Sequence, residues 1–448
     1  MISASDFDAW DWVFSHPIIK RRGKKAILDL VTAFDIETTS LHDVRQSIMY
    51  IWQWELGDCF CVIGRTWEEF RMFAHRLADE AAQRGLLVVC YDHNLSFEFQ
   101  WLAYQLDWTD GEVFCTDPRK VLSATYKDSL QFRCSLFLFN MRLEAVTAQM
   151  KVKHAKLSGV DFDYSKMRFP WTPLDPVTEL PYCVNDVRGL VEAVQAKMRL
   201  DGDNLATIPK TSTGYVRRDV KQAMKYYSFM RIKSLWPDPH LFQMLREAFR
   251  GGSVHANRYY AGITVEHVTT MDRSSSYPDV MLNHLFPMSP FQFTGPMSPE
   301  ELETWILDRG KAVLMRVTFT NLRLKDIYWG SPYLRRDKCR NIDGGAYDNG
   351  AVLSADFLET TINDVDWRII TDEYLYDDMC VTDGAVSTYG KLPEPLLDVI
   401  REYYRRKTEL KGVTGEIDGI DAEMFYNKVK ALLNAIYLRN GCNQSRQG

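Results

Sequence analysis

Residues 27–39 read ILDLVTAFDIETT, and this stretch decides the predicted fold. Its apolar run predicts a strand that enters a core, with a strand end that frays into solvent as the alternative. Side chains two apart on a strand point to the same face, so Asp35 and Glu37 should lie side by side. Two carboxylates on one face of a buried strand repel each other and lose hydration unless cations neutralise them. The stretch therefore predicts a metal site.

Two later segments offer further acidic groups. Residues 86–91, LLVVCY, predict a second core strand, and the helical spacing that follows places Glu98 near a helix start, with a surface glutamate as the alternative. Residues 180–191, LPYCVNDVRGLV, predict a helix opened by proline, in which Tyr182 and Asp186 share a face. The phenol and the carboxylate can then contact the same water molecule and metal ion. An ordinary helix start with a half-buried tyrosine is the alternative.

The ordered set D-x-E, N-x-x-F-E and Y-x-x-x-D resembles the exonuclease domain of DnaQ-like enzymes, in the arrangement found in family B DNA polymerases. The resemblance implies an α/β, RNase H-like 3′–5′ exonuclease domain over residues 31–200, after an N-terminal segment of residues 1–30. It also implies that two Mg²⁺ or Mn²⁺ ions activate water and clamp the scissile phosphate, while Tyr182 orients the water. The implied metal ligands are Asp35, Glu37, Glu98 and Asp186. The family usually has Asp where Glu98 stands, and the longer side chain changes the metal geometry.

The same resemblance implies a binding site for a single-stranded 3′ end. Thr38, Asn94 and Phe97 would grip the strand. Lys156 loosely matches a lysine that contacts the scissile phosphate in this family, but the sequence favours a surface lysine at this position. The first part of the chain is therefore expected to bind DNA as well as metal.

The composition fits a globular protein of several domains. A length of 448 residues predicts about two to four domains. No apolar run approaches the ~20 residues that span a bilayer, and the N-terminus lacks the features of a signal peptide. Nine cysteines without a C-x-x-C pair predict free thiols in a reducing cytoplasm, which is the host's if the protein is viral. The formal net charge of −6 argues weakly against bulk nucleic-acid binding, but a groove can stay basic while metal-binding carboxylates lower the total.

Residues 201–260 are predicted to be a linker and template-contacting segment. Residues 201–204, DGDN, interrupt the helical pattern and mark a boundary. Residues 215–233 predict a basic helix that suits a DNA backbone, with a solvated helix face as the alternative. Adjacent glycines in residues 249–252, FRGG, allow a close backbone approach, unless they form a plain turn. This stretch resembles the Y-x-G-G of phage family B polymerases, which implies DNA contacts by Arg250, Gly251 and Gly252.

The second half of the chain is organised around residues 271–278, MDRSSSYP. Apolar and polar residues alternate in the preceding stretch, AGITVEHV at 261–268, as they do in a strand. A strand that ends in Asp, followed by a turn of small residues and the start of a helix, predicts a site that binds a phosphate group and a metal ion. Asp272 can hold a divalent cation there, and helix-start amides can face a triphosphate. The groups expected at the nucleotide are Ser275, Ser276 and Tyr277; the alternative is a helix N-cap followed by a buried tyrosine.

Residues 272–278, DRSSSYP, resemble the first palm motif of family B polymerases, D-x-x-S-L-Y-P. The resemblance implies that Asp272 is a catalytic metal ligand and that Tyr277 rejects a ribose 2′-hydroxyl. It assigns residues 261–396 to a partial α+β palm with an insertion. Protein-primed members hold extra palm structure in this interval, so a terminal protein is a candidate partner.

Residues 397–437 predict two helices that resemble the fingers. Lys430, Asn434 and Tyr437 recur on one helical face, with a solvated polar face as the alternative. The pattern resembles the motif K-x-x-x-N-S-x-Y-G, in which Lys neutralises the incoming triphosphate while Asn and Tyr face the nascent base pair. Lys407, on the preceding helix, is a further candidate for phosphate binding. Leu438 replaces the motif's glycine, and residues 438–448 form a divergent tail.

The second palm motif of the family, D-T-D, does not occur in the sequence. Two-metal phosphoryl transfer needs at least two anchoring carboxylates in the palm, so the expected palm is incomplete. The sequence therefore predicts a phage-type, protein-primed-like family B DNA polymerase with proofreading exonuclease, truncated or split within the fingers. Its expected partners are template and primer DNA, deoxynucleotides, and a second polypeptide that carries the missing parts. The alternative is a chain that works only as a nuclease or DNA-binding subunit.

Overall fold

A computed structural model describes residues 1–41, 46–157, 162–163, 166–252, 254, 258–325 and 331–442 of the chain. The fold is mixed α/β and divides into two compact units. The first unit comprises Met1–Arg218 and Arg406–Leu432, and the second comprises Asp219–Arg405 and Leu433–Gly448. Within the described residues, no helix is both long enough and apolar enough to span a bilayer. The eight cysteines whose side chains are described are free thiols, as predicted.

A nine-stranded sheet forms the centre of the first unit. Its strands are β1 (Ile2–Ser3), β2 (Ile18–Arg21), β3 (Lys24–Leu41), β4 (Gln46–Leu56), β5 (Phe60–Gly64), β6 (Leu86–Asp92), β7 (Val113–Cys115), β8 (Val121–Tyr126) and β9 (Leu130–Cys134). Their order across the sheet is β1-β5-β4-β3-β6-β9-β8-β7, with β2 paired to β3. The central strands β3, β6 and β9 are parallel, so their carboxyl ends meet at one edge.

Helices cover both faces of this sheet. They are α1 (Trp10–Phe14), α2 (Trp67–Gln83), α3 (Leu95–Gln105), α4 (Ser135–Phe139), α5 (Leu143–Gln149), α6 (Glu179–Asp201) and α7 (Ser212–Ala223), the last of which continues into the second unit. Phe34 and Ile36 belong to the core on the α2 face, whereas Val31 and Ala33 belong to the core on the α6 face. Because side chains alternate along a strand, Asp35 is directed towards the α6 face.

An antiparallel eight-stranded sheet forms the second unit. Its strands are β10 (Phe286–Pro287), β11 (Gln292–Phe293), β12 (Lys311–Leu324), β13 (Cys339–Asp343), β14 (Ala346–Asp348), β15 (Ala351–Asn363), β16 (Tyr374–Leu375) and β17 (Asp378–Gly390). The path through the sheet is β10-β17-β12-β15-β13, and the core it buries includes Val317, Phe319 and Leu358.

Shorter helices surround the second sheet. They are α8 (Phe229–Lys233), α9 (Pro239–Ala248), α10 (Ser276–Asn283), α11 (Pro299–Glu303) and α12 (Asp364–Glu373), with 3-10 turns at Met224–Tyr226, Arg258–Tyr260 and Arg336–Lys338 and a π-turn at Thr304–Asp308. At the end of the described chain, α13 (Glu394–Leu410) and α14 (Ala422–Cys442) are joined by the hairpin of β18 (Glu416–Ile417) and β19 (Ile420–Asp421). Residues 406–432 of this region belong to the first unit.

Several predicted elements are confirmed. Residues 27–39 lie in β3, residues 86–91 lie in β6, and α6 begins at Glu179, close to the predicted start. The helical pattern ends at residue 201 as predicted, where Gly202 takes the left-handed conformation (φ 66°) that favours glycine, whereas the first compact unit continues to Arg218.

Two predicted elements are wrong. The described backbone of residues 261–268 forms no strand, and Ile263 and Val265 are 62% and 47% exposed. Alternation stabilises a strand only where a neighbouring strand accepts its hydrogen bonds, and the second sheet is completed by other segments. The predicted basic helix over 215–233 is three pieces, because α7 ends at Ala223 and the Ser228 side chain caps a separate α8.

Candidate metal centre

Three carboxylates meet where β3 passes α6. Asp35 and Glu37 come from β3, and Asp186 comes from the second turn of α6. Their potential ligand atoms all lie within 4.8 Å of one another. Asp186 is buried, while Asp35 and Glu37 are half-buried. The predicted pairing of the D-x-E strand with Asp186 is therefore present in the fold.

Burial and mutual repulsion make this group of acids unfavourable without a cation. Burial, followed by the charge of Asp186, raises the pKa of Asp35 to about 7. Burial and the charges of Asp35 and Asp186 raise the pKa of Glu37 well above its usual range. Burial also raises the pKa of Asp186, and its Oδ1 has no hydrogen-bond partner among the described residues. An all-oxygen donor set of this kind fits Mg²⁺ or Mn²⁺.

Lys156 lies beside the three carboxylates, so the favoured interpretation of a surface lysine is wrong. Its Nζ forms an ion pair with Asp186 and lies 5.7 Å from the centre of the Tyr182 ring. Burial lowers the pKa of Lys156, but contact with Asp186 outweighs it and the net shift is upward. The lysine therefore stays charged next to the candidate metal ligands.

Tyr182 shares a face of α6 with Asp186, as predicted. Its side chain is buried, and its ring stacks on Phe162 with centroids 4.1 Å apart and an interplanar angle of 21°. The stacking fixes the orientation of the phenol relative to the helix. Tyr182 is thus held near Lys156 and Asp186 by packing rather than by the helix alone.

Glu98 is buried on α3, so the surface-glutamate alternative is wrong. It is 4% exposed, and its carboxyl group contacts those of Asp35 and Asp92. Burial, and then the charges of Asp92 and Asp35, raise the pKa of Glu98 well above its usual range. The fourth predicted carboxylate therefore contacts Asp35, but it is not one of the three acids whose potential ligand atoms lie within 4.8 Å of one another.

Asp92 is a buried acid near Asp35 that the sequence interpretation did not single out. It is the last residue of β6 and is 0% exposed. Burial, followed by the charge of Asp35, raises its pKa well above the usual range. A signal was present, because Asp92 directly follows the apolar run LLVVCY just as Asp35 follows the apolar run of β3.

The predicted strand-gripping residues lie at the same edge of the sheet. Thr38 follows Glu37 on β3 and is half-buried. Asn94 precedes α3 with a left-handed backbone (φ 84°), which asparagine tolerates better than most residues. Phe97, on the first turn of α3, is 40% exposed. These side chains are accessible, as a single-stranded ligand would require.

The candidate metal-binding and nucleotide-binding residues of the second unit lie in more exposed surroundings than the carboxylates of the first unit. Asp272 is exposed on a loop, and it does not join two other acidic, histidine or cysteine groups as a metal cluster within the described part of the chain. Ser275 precedes α10 with φ 52°, and α10 begins at Ser276. Tyr277 is 44% exposed, and a Cβ placed on Gly252 would lie 3.4 Å from its hydroxyl. The Gly-Gly stretch and the Tyr-Pro motif are therefore neighbours.

The other residues that were predicted to contact DNA or nucleotides differ in how far they are buried. The Arg250 guanidinium lies 3.2 Å from the Asp366 carboxylate and donates to backbone carbonyls, so it is directed into the second unit. Gly251 is exposed. Lys407 is half-buried on α13, whereas Lys430 and Asn434 are exposed on α14. Tyr437 lies within α14, but its side chain is outside the described residues, as are residues 443–448 of the predicted tail.

Comparisons with known proteins identify the fold. No protein-family model matches the chain, and no curated protein does. Phi29 DNA polymerase complexed with single-stranded DNA has a similar structure, with a TM-score of 0.69 and 16% sequence identity, over 92% of this chain and 68% of that chain. Phi29 DNA polymerase complexed with primer-template DNA gives 0.68 and 17% over the same shares, and its orthorhombic crystal form gives 0.64 and 17% over 91% and 67%. The chain therefore has a mixed α/β fold similar to that polymerase.

Proposed function

We propose that the first unit is a metal-dependent 3′–5′ DNA exonuclease within a chain built like a family B DNA polymerase. The observation that carries this proposal is the group formed by Asp35, Glu37 and Asp186, with Lys156 and Tyr182 against it. The likeness to Phi29 DNA polymerase supports the fold of the proposal, and the close approach of three carboxylates with raised pKa values supports its chemistry.

The residues of the first unit have separate roles in the proposed reaction. Asp35, Glu37, Asp186 and Glu98 would hold two Mg²⁺ or Mn²⁺ ions, which supply an activated water and stabilise the charge on the phosphate. Tyr182 orients the attacking water, since its ring is fixed against Phe162. Lys156 neutralises the scissile phosphate.

The strand that is cut needs its own binding residues. Thr38 and Asn94 hold the 3′-terminal nucleotides, and Phe97 offers an exposed ring for base stacking. Their position next to Glu37 and Glu98 along the chain would bring the terminal phosphodiester to the carboxylates.

For the second unit we propose binding of primer-template DNA and deoxynucleotides. Ser275, Ser276 and Tyr277 surround the start of α10, where backbone amides suit a phosphate. The proposed metal ligand is Asp272. Asn434 is a further proposed nucleotide contact of this unit, and further proposed DNA contacts are Arg250, Gly251, Gly252 and Tyr437. Lys407 and Lys430 lie in the first unit, and their nucleotide contacts stay predictions. A second polypeptide, a terminal protein and a chain split within the fingers stay predictions.

Exonuclease activity without DNA synthesis is the second candidate function. It is favoured by one observation: Asp272 is exposed and joins no metal-ligating cluster among the described residues. Primer extension in an Asp35→Ala/Glu37→Ala background separates the two functions, since degradation cannot then mask synthesis. Metal-dependent extension that disappears with Asp272→Asn supports the polymerase, and its absence supports the exonuclease alone.

The test of the proposed function is nucleotide release from single-stranded DNA. With Mg²⁺ or Mn²⁺, the wild-type chain should release mononucleotides, and Asp35→Ala/Glu37→Ala should lose the activity while the fold is kept. Asp29→Asn is the matched control, because Asp29 lies on the same strand but is exposed. A double variant as active as the control would contradict the proposal.

A further inference from the structure

Gln53 lies on β4 directly opposite Asp35, in the antiparallel pair of β3 and β4. Side chains that face each other across such a pair leave the sheet on the same side, with Cβ atoms about 4.5–5.5 Å apart. On β4, Trp52 and Trp54 belong to the core on the α2 face, whereas Ile51 packs with residues of α6. The alternation along the strand therefore directs Gln53 towards α6, on the side of the sheet that carries Asp35.

The amide group of Gln53 is buried without a partner. Gln53 is 0% exposed, and neither its Nε2 nor its Oε1 has a hydrogen-bond partner among the described residues. Glu55, the next residue on this face of β4, does have a partner on α6, since it forms an ion pair with Arg188 at 3.5 Å. A buried amide that makes no hydrogen bond is unfavourable, so Gln53 indicates a partner that becomes available only when the site is occupied.

The carboxylate of Asp35 is the chemical group that suits this amide. A carboxylate that binds a cation through one oxygen is commonly fixed by a hydrogen bond to its other oxygen. Asp186 already has such a donor in Lys156. A glutamine amide donates in the same way without adding a charge, and the strand register brings Gln53 to the level of Asp35.

We propose that Gln53 is a positioning residue of the metal centre. Its amide donates to the Asp35 carboxylate oxygen that does not bind the cation, and this hydrogen bond holds the other oxygen as a ligand. Gln53 itself binds neither metal nor DNA. The role rests on the proposed function, because it requires Asp35 to be a metal ligand.

Gln53→Met tests this role, because methionine has a similar length and volume but lacks the amide. In EDTA the variant should unfold at the Tm of wild type or above it, since a buried amide without a partner is removed. Mn²⁺ binding measured by calorimetry should weaken about tenfold or more. The kcat for nucleotide release should fall, while the KM for single-stranded DNA stays within about twofold of wild type.

Gln131→Met is the matched control. Gln131 lies on β9 of the same sheet, but its amide donates to the Thr125 hydroxyl at 2.9 Å and accepts from the Arg133 guanidinium at 2.8 Å. Its replacement should lower the Tm in EDTA and leave both Mn²⁺ binding and kcat at the wild-type values. The opposite responses of the two glutamines separate a positioning role from a contribution to stability.

The outcomes separate the role of Gln53 from the proposed function. Wild-type affinity for Mn²⁺ in Gln53→Met overturns the role of Gln53 alone, whatever its Tm. If Gln53→Met does not fold, solvent exchange of the Gln53 side-chain amide in wild type is followed by NMR. This exchange should slow when Mg²⁺ is added, and an unchanged rate overturns the role. A wild-type chain that binds no Mn²⁺ overturns both.

A separate observation concerns an exposed aromatic pair in the segment before α6. The rings of Phe169 and Trp171 stack with centroids 5.1 Å apart and an interplanar angle of 4°, and Trp171 is 77% exposed. The backbone of the pair is fixed, since Arg65 donates to the carbonyls of Phe169 at 3.0 Å and Thr172 at 2.7 Å. Because tryptophan is usually largely buried, an exposed indole held in one orientation indicates a surface for a flat ligand.

The aromatic pair is attached to the strand that carries the candidate metal ligands. Thr39, two residues after Glu37 on β3, donates from its hydroxyl to the Arg168 carbonyl at 2.8 Å and accepts from the Arg168 amide at 3.1 Å. Phe169 directly follows Arg168. The pair is therefore connected to the end of β3 that carries Thr38, one of the predicted strand-gripping residues.

We infer that Trp171 stacks against a base of the single strand bound at the metal centre. Every base has a π-face, so this contact stabilises the bound strand without sequence preference. The inference rests on the proposed function and adds a base-binding surface to it.

Trp171→Ala tests the inference, with Tyr104→Ala as the matched control, since Tyr104 is an 87% exposed aromatic residue on α3. Binding of a single-stranded oligonucleotide is measured by fluorescence anisotropy with Asp35→Ala/Glu37→Ala present in every chain. Trp171→Ala should weaken binding about tenfold, whereas Trp171→Phe and Tyr104→Ala should not. Removing the bases near the 3′ end should weaken binding by wild-type Trp171 but not by Trp171→Ala.

Equal affinities of Trp171→Ala and Tyr104→Ala would overturn the role of Trp171. An equal effect of base removal on the Trp171→Ala chain and on the chain with Trp171 would also overturn it. A loss of binding in Trp171→Ala, together with a wild-type chain that releases no nucleotides, would contradict the proposed function alone.

Discussion

Asp35 lies among several acidic groups. Its potential ligand atom is within 4.8 Å of those of Glu37 and Asp186, and its carboxyl group also contacts that of Glu98. Desolvation and like charge both disfavour the ionised forms, and Lys156 compensates only part of this charge. At the scale of single residues, the site is therefore unfavourable as protein alone and becomes favourable when divalent cations bind.

Glu98→Ala should reduce exonuclease activity by about 10²-fold or more, because it removes an anchoring carboxylate. The rate of nucleotide release from single-stranded DNA measures this effect. Glu68→Ala, at an exposed position of α2, is the control and should retain the wild-type rate. A Glu98→Ala rate within about twofold of wild type would place Glu98 outside the reaction.

At the scale of elements, α6 positions Lys156 through a close backbone approach. A Cβ on Gly189 would lie 2.3 Å from the His154 carbonyl oxygen, so only glycine fits this turn of the helix. His154 is also held by Glu192, whose carboxylate accepts from its backbone amide at 3.0 Å. The segment that carries Lys156 is thereby fixed against the helix that carries Tyr182 and Asp186.

Gly189→Ala should push residues 154–156 away from α6. We expect a loss of about 1–3 kcal/mol in the free energy of unfolding and a lower nuclease rate, because Lys156 moves from Asp186. Denaturant unfolding and nucleotide release measure the two effects. Gly251→Ala should leave the free energy of unfolding unchanged, since a Cβ there meets nothing within 4 Å. Wild-type stability in Gly189→Ala would show that the helix and the segment are not held in contact.

Local patterns predicted the elements that carry the site, but not all the contacts between them. The alternation in β3 placed Asp35 and Glu37 on one face, and the helical period placed Tyr182 with Asp186, because both depend on neighbours along the chain. The approach of Asp92 to Asp35 was not predicted, because it depends on β6 lying parallel to β3, whereas the local apolar run indicates only that Asp92 ends a buried strand. The strand predicted at 261–268 failed for the same reason, since a strand needs a partner.

At the scale of the whole molecule, two compact units are built from interleaved parts of the chain. Residues 406–432 belong to the first unit, where Lys428 pairs with buried Asp201 at 2.9 Å. Such a contact joins positions far apart in sequence, so sequence periodicity could not reveal it. The candidate metal ligands of the proposed exonuclease all lie in the first unit, whereas Asp272 lies in the second.

Addition of Mg²⁺ without DNA or nucleotide should therefore slow hydrogen exchange in the first unit only. Hydrogen exchange should slow at the end of β3, the start of α3 and the start of α6, because cations remove the repulsion there. The loop around Asp272 should exchange at an unchanged rate. The double variant Asp35→Ala/Glu37→Ala should lose the response, and a response that persists in this variant or appears equally in both units would contradict the assignment.

The most direct measurement of the central claim is the polarity and metal dependence of DNA digestion. A single-stranded oligonucleotide labelled at its 5′ end is incubated with Mg²⁺, with and without phosphorothioate linkages at its 3′ end. The prediction is progressive shortening of the unblocked strand, none of the blocked strand, and none of either with Asp186→Asn or EDTA. Digestion of both strands alike, or an Asp186→Asn chain that digests DNA at the wild-type rate, would contradict a 3′–5′ exonuclease centred on Asp35, Glu37 and Asp186.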